Sequence, residues 1–137
     1  MSNFRVQRYQ SSHYEDWNTF VANAKNATFL FHRDFMDYHK ERFEDYSLLV
    51  FDAKDKLVAV LPAHKIESTL YSHQGLTYGG LILNQKIILS QVILITKSIL
   101  KYLQKSDISK LEFPCFCHGY LFYYIWHFSV YRFFQTK

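Results

Sequence analysis

Glycine is scarce in this chain, with four residues in 137, and there are only two prolines and two cysteines. So little glycine and proline excludes a collagen-like repeat, a flexible linker and a low-complexity tail. The cysteines, Cys115 and Cys117, have one residue between them. That excludes the disulfide framework of a small secreted domain, and a reducing cytoplasm is expected. No run of five or six like charges occurs. The net charge of +4 is spread from Arg5, Arg8 and Arg33 to Lys97 and Lys101. A solvated surface is expected, with no DNA partner. The opening "MSNFRVQRYQSSHYEDW" has no apolar stretch of the secretory type. The motifs G-x-S-x-G and H-E-x-x-H, the P-loop and the dinucleotide fingerprint are also missing.

What is present is apolar and aromatic side chain, 49% and 19% of the residues. That is enough for the core of one domain, and disorder is not expected over most of the chain. "FRVQRY" (4–9) alternates as a short strand. Ser12 and Glu15 have the spacing of a capping box, and Tyr14, Trp17, Val21 and Ala24 follow at helical spacing. A first helix is therefore expected to about Asn26. A second, over 33–43, would place Phe31, Phe35, Tyr38 and Arg42 on one face. "SLLVFDAKDKLVAVLPAHKI" (47–66) reads as two apolar strands around a polar turn. Pro62 has no N–H for a ladder, so an edge, a bulge or a frayed end is expected there. The amphipathic stretch 84–106 carries Ile88, Val92, Ile95, Ile99 and Tyr102 or Leu103 on one side and Lys86, Ser90, Lys97, Lys101 and Gln104 on the other. Its lysines argue against a membrane span. "DISKLEF" (107–113) alternates as a further strand. This order predicts an α/β or α+β fold with a mixed sheet.

Three of the four glycines, Gly75, Gly79 and Gly80, fall in "LYSHQGLTYGGLIL" (70–83), together with His73, Gln74, Thr77 and Tyr78. Gly79 and Gly80 either supply a positive φ or let another backbone or a ligand come close. On the residues alone a plain glycine bulge at a sheet edge, with His73 and Tyr78 as surface groups, is the preferred explanation.

The strings "FLFHRDFMDYH", "LVAVLPAH" and "SHQGLTYGGLIL", taken together over about residues 13–105, resemble the opening of GNAT-related acyltransferases of the Fem-like (FemAB-type) group. The resemblance implies a partial GNAT-like (acyl-CoA N-acyltransferase) fold over residues 1–112. It implies transfer of an acyl or aminoacyl group, from acyl-CoA or aminoacyl-tRNA, to an amine. The acceptor would be a small molecule or a cell-envelope precursor. Tyr78 and His73 become the candidate catalytic residues, and Thr77, Gly79 and Gly80 the candidate substrate-binding ones. Tyr78 is favoured over His73, which falls at the start of the strand. Two departures stand beside this. The acyl-donor loop, usually a glycine-containing turn leading into a helix, has no clear match. Fem-like enzymes also carry two such lobes. A one-lobe remnant or binding module is the alternative.

From Phe113, "FPCFCHGYLFYYIWHFSVYRFFQTK" changes composition sharply. A membrane-spanning segment, an aromatic core element and an out-of-frame tail are all open. The resemblance stops where the composition changes, which favours the third; no membrane span is expected, although the aromatics would favour association. Cys115, Cys117 and His118 form a C-x-C-H cluster without the second ligand pair that zinc needs, so no metal is expected. His32, Asp34, Asp37 and His39 are expected to form an exposed polar face.

Overall fold

Leu48, Leu49 and Val50 are all fully buried, although successive residues of a strand face opposite ways. Such a strand needs cover on both sides. The computed structural model describes residues 4–38, 41–72, 79–115 and 126–129, the pairs 114–115 and the run 126–129 as backbone alone. In chain order the elements are β1 (Arg5–Arg8), α1 (Tyr14–Ala22), α2 (Arg33–Tyr38), β2 (Glu44–Asp45), β3 (Leu48–Phe51), β4 (Leu57–Leu61), β5 (His64–Ile66), β6 (Thr69–Tyr71), β7 (Ile82–Leu83), α3 (Leu89–Gln104), β8 (Lys110–Cys115) and β9 (Trp126–Ser129).

Leu48 and Val50 join Leu61, Leu70 and Leu111 under α3, whose Ile95, Ile99 and Leu103 pack onto them. Leu49, Val60 and Ile82 face the other way, against Trp17, Phe20, Val21 and Phe31. The result is the expected α+β architecture: a mixed sheet with α3 on one side and α1 and α2 on the other.

The strands hydrogen-bond in the orders β1-β3-β4-β7 and β2-β5-β6-β8-β9. These two sheets are continuous through one long hairpin. Leu48 faces Leu61, Asp45 faces His64 and Glu44 faces Lys65 in unbroken register. The turn forms as the sequence predicts. Asp52 Oδ1 accepts the N–H groups of Lys54 (2.8 Å) and Lys56 (3.0 Å), and those bonds hold its carboxyl below the usual range. Pro62 sits at the joint between the sheets, buried, where its missing N–H interrupts the ladder. Beside it the Ser47 hydroxyl accepts the N–H of Ala63 (3.2 Å) and donates to Asp45 Oδ1 (2.6 Å).

Four expectations are corrected. Ser12 lies inside a 3-10 turn, Ser11–His13, and the pair that bonds across this helix start is Gln10 N–H on His13 Nδ1 at 3.0 Å. The first helix stops at Ala22, short of Asn26. The Asn26 side chain is taken by the edge strand β7, donating to Leu81 O and accepting from Leu83 N, both at 2.9 Å. The second helix is described over Arg33–Tyr38 and does not reach 43: residues 41–43 are turn and bend, and the Phe43 ring centroid lies 4.4 Å from that of His64. Ile88 is 62% exposed at the head of α3, off the face that buries Ile95, Ile99 and Leu103.

Among the described residues no helix is long and apolar enough to cross a membrane. Residues 130–137 and 116–125, most of the aromatic stretch, lie outside the described residues.

The packing of α3 sets a direct test. Ile95→Ala is expected to cost about 2–5 kcal/mol in denaturant unfolding, because a fully buried branched side chain leaves a cavity. The exposed Lys97→Ala is expected to stay within about 0.5 kcal/mol. Equal effects at the two positions would mean that the buried face has been assigned wrongly.

Candidate functional site

Of the glycine stretch the structure describes the two ends, 70–72 and 79–83. From His64 back to Val60 is four residues of the β4–β5 strand. The partner strand takes eleven, from Tyr71 to Ile82, to face the same length. The extra residues leave the ladder after Ser72 and return at Gly80. Ser72 closes the excursion. Its hydroxyl is fully buried, donates to Pro62 O (3.0 Å) and accepts the Gly80 N–H (2.7 Å). Ser72 N–H also donates to Glu112 O at 2.9 Å, the last rung that ties this strand to β8. Beyond it the chain resumes as β7, which pairs with β4. The pairing of β6 with β8 therefore ends at Ser72, and β7 pairs with β4 instead.

Gly80 has φ +102°, and a Cβ built on it would come no nearer than 3.8 Å to Phe113 Cδ1. Of the two roles open from the sequence, positive φ is the one this geometry requires; space alone would admit a methyl group. Gly79 is exposed. His73, Thr77 and Tyr78, with Gly75, lie outside the described residues. So do His39, Cys117 and His118. Of the polar set on α2, Asp34 is exposed and accepts a short hydrogen bond from the Tyr14 hydroxyl, while Asp37 lies 3.8 Å from Arg33. Among the described residues no cluster of His, Cys, Asp and Glu is arranged to hold a metal ion.

One rung before that end the sheet carries a polar row. Asp45, His64, Tyr71 and Glu112 are successive register partners on β2, β5, β6 and β8. Register partners share a face, and this one is opposite Leu70 and Leu111, hence away from α3. His64 is buried and stacks on Tyr71 with ring centroids 5.5 Å apart and planes 15° from parallel. Glu112 is buried and paired with the Lys110 ammonium. A histidine, a phenol and a carboxylate in one line across three strands can accept, relay and release a proton. Sequence reasoning missed all three as site residues. Each is the polar intruder in an apolar strand, in "LPAH", "TLYS" and "KLEF". Which strands are neighbours, and in what register, is not written in any of those strings.

Asp45, at the end of the row, is anchored by the most unusual charge in the chain. Arg33 was expected on the solvated surface with the other basic residues. It is fully buried. Its guanidinium lies 3.3 Å from the Tyr9 ring centroid and 4.1 Å from that of Trp17, and its Nη1 is 2.7 Å from Asp45 Oδ2. Arg8 Nη2 adds a bond to Asp45 O at 2.7 Å. Burial pushes the Tyr9 phenol up, with the Arg33 charge acting against it. This knot fixes β2, and with it Phe43, over His64.

Two substitutions test the scaffold of the site by thermal and denaturant melts. Gly80→Ala is expected to destabilise by about 1–3 kcal/mol, nearly as much as Gly80→Val, because the penalty is one of backbone conformation. A harmless Ala beside a damaging Val would assign Gly80 to close approach instead. Asp45→Ala, which strands the buried Arg33 charge, is expected to cost about 3–5 kcal/mol; a loss under 1 kcal/mol would show that the two rings alone suffice to hold it.

No protein-family model matches the chain, and no curated protein sequence matches it. Solved structures do. The ribosomal-protein-S18-alanine N-acetyltransferase from Escherichia coli superposes with TM-score 0.57 at 6% identity, over 85% of this chain and 70% of that one. A GNAT family N-acetyltransferase from the same organism, solved with CoA, gives 0.57 at 7% identity, over 83% and 63%. The spermidine/spermine N-acetyltransferase SpeG from Vibrio cholerae gives 0.52 at 10% identity, over 82% and 69%. At such identities the likeness is one of fold, and the fold of this chain is a partial GNAT fold.

Proposed function

We propose that the chain takes part in transfer of an acyl or aminoacyl group to an amine, and that the row His64–Tyr71–Glu112 is the acceptor side of that reaction. The observation that carries this reading is the position of the row. It lies where the parallel pairing β6–β8 ends in a GNAT fold, and its three proton-handling side chains face away from the α3 core. Transfer forms an N–C bond to the acyl carbon, breaks the ester or thioester bond to the donor and sets one proton free from the amine. Holding the amine against the activated carbonyl supplies most of the acceleration, up to about 7–11 kcal/mol when the geometry is good. A positioned base adds about 10²–10⁴-fold. Glu112 or His64 is placed to receive the proton, with Tyr71 between them. In this reading Tyr78 and His73 remain proposed proton-handling residues, and Thr77, Gly79 and Gly80 proposed substrate-binding ones, on the strength of the sequence strings alone.

The donor is an acyl-CoA or an aminoacyl-tRNA, and the acceptor a small-molecule or cell-envelope precursor amine. The Fem-like part of this assignment rests on the sequence strings, as does a cytoplasmic location. A second reading is a single lobe that binds the amine and leaves the chemistry to another; the absence of glycine from residues 84–89, ahead of α3, favours it. In either case residues 1–112 are proposed as the working lobe; the proposed out-of-frame segment, residues 113–137, nonetheless supplies the end of β8 and the strand β9 paired on it, with Phe113 packed against the core.

A panel of amines tested with labelled acyl donors, beside calorimetric titration of the same amines, separates the readings. Glu112→Gln is expected to lower turnover about 10²–10⁴-fold with acceptor affinity and melting temperature little changed. Amine binding without product supports the single binding lobe. If the chain neither binds nor acylates any amine, both readings fail.

A further inference from the structure

The core uses the inner face of α3, where Ile95, Ile99 and Leu103 are buried on the sheet. Its outer face carries side chains that the core does not use. Leu89 stands 75% exposed, Ile93 50% and Leu94 38%, and Ile88, just ahead of the helix, 62%. Half of the large apolar side chains exposed among the described residues thus belong to one helix start, which makes a patch and not the usual scatter. Leu89 and Ile93 are four residues apart and so lie on successive turns of one ridge. The ridge continues at the same spacing as Lys97, Lys101 and Lys105, all exposed.

The charge on this side has one sign. Residues 68–106 hold four lysines, Lys86 and the three of the ridge, and no aspartate or glutamate. The twelve other basic residues of the chain are matched by twelve acidic ones, so the net charge of +4 comes from this stretch. Among the described residues no carboxylate lies within ion-pair distance of any of the four.

A second copy laid parallel on α3 would set lysine against lysine; laid antiparallel, it would set lysines on leucine and isoleucine. Protein partners are anchored by aromatic and arginine side chains, whereas the exposed set on α3 is isoleucine, leucine, lysine, serine and glutamine. An anionic bilayer surface suits both halves of the ridge. Branched side chains enter the boundary between headgroups and acyl chains, and lysine stems lie along it with their ammonium groups among the phosphates. We propose that the outer face of α3 docks on an anionic lipid surface, with Leu89, Ile93 and Leu94 inserted and Lys97, Lys101 and Lys105 set against the headgroups. The helix lies on the surface and does not span it. This goes beyond acyl transfer and does not depend on it.

The test is co-sedimentation of the full chain with vesicles of phosphatidylcholine alone and of phosphatidylcholine mixed with phosphatidylglycerol. Binding is expected to the mixed vesicles, and to fall when salt is raised from about 0.1 M to about 1 M. Lys97→Gln with Lys101→Gln is expected to weaken it about 30-fold, and Leu89→Ser with Ile93→Ser about tenfold or more. Melting temperatures check that each variant folds; both lysines are exposed, so the lysine pair decides even if the apolar pair unfolds the chain. Equal binding to both vesicles, or to neither, would overturn the proposal. So would vesicle binding that the lysine variants leave unchanged, which would place it elsewhere in the chain. A stable dimer or an RNA complex in the absence of vesicle binding would assign the face to those partners instead.

Discussion

Pro62 is a residue without an N–H in the middle of the longest hairpin of the fold, and the arrangement of the sheet follows from that gap. A ladder that cannot close at one point divides into two halves that are free to lead different neighbours. On one side of the gap β4 takes β7; on the other β5 takes β6, which continues to β8. The partner strand absorbs the division as an excursion of extra residues, and the buried hydroxyls of Ser47 and Ser72 satisfy the backbone groups the break exposes. Both serines sit where an apolar side chain would have left polar backbone atoms buried and unpaired, a cost of about 1–3 kcal/mol each.

The Arg33 knot secures the same region from the helix side. A guanidinium removed from water is tolerated when a carboxylate and aromatic faces replace part of its hydration; here Asp45 takes Nη1 and the Tyr9 and Trp17 rings cover the plane, while Nε and Nη2 are buried without a hydrogen-bond partner. The pair joins α2 to β2, a strand of two residues that also pairs with β5 and takes a bond from Arg8. Because Asp45 begins the polar row and Phe43 lies against His64, the charge buried for structure also sets the surroundings of the candidate chemistry.

Three polar side chains, His64, Tyr71 and Glu112, stand side by side across β5, β6 and β8, next to the place where the sheet changes partners. The turn into α3, after β7, is held by its own Asn84 and Gln91.

Local pattern was enough to place β1, the β3–β4 hairpin, the buried stripe Ile95–Ile99 of α3 and the strand at β8, because each depends on periodicity or turn chemistry within a few residues. It also marked the glycine stretch as special and named Gly80 with its two possible roles. The ends of α1 and α2 were misread because their causes are distant: Asn26 is engaged by β7, and Phe43 lies over His64. The burial of Arg33 was beyond local reading too, since one arginine among dispersed basic residues looks like the others until Tyr9, Trp17 and Asp45 are brought around it. The row His64–Tyr71–Glu112 belongs wholly to tertiary structure. Its members lie in three strands joined by a tight turn and by the α3 crossover. Only strand order and register, fixed by burial on both faces of the sheet, turn three isolated polar residues into neighbours.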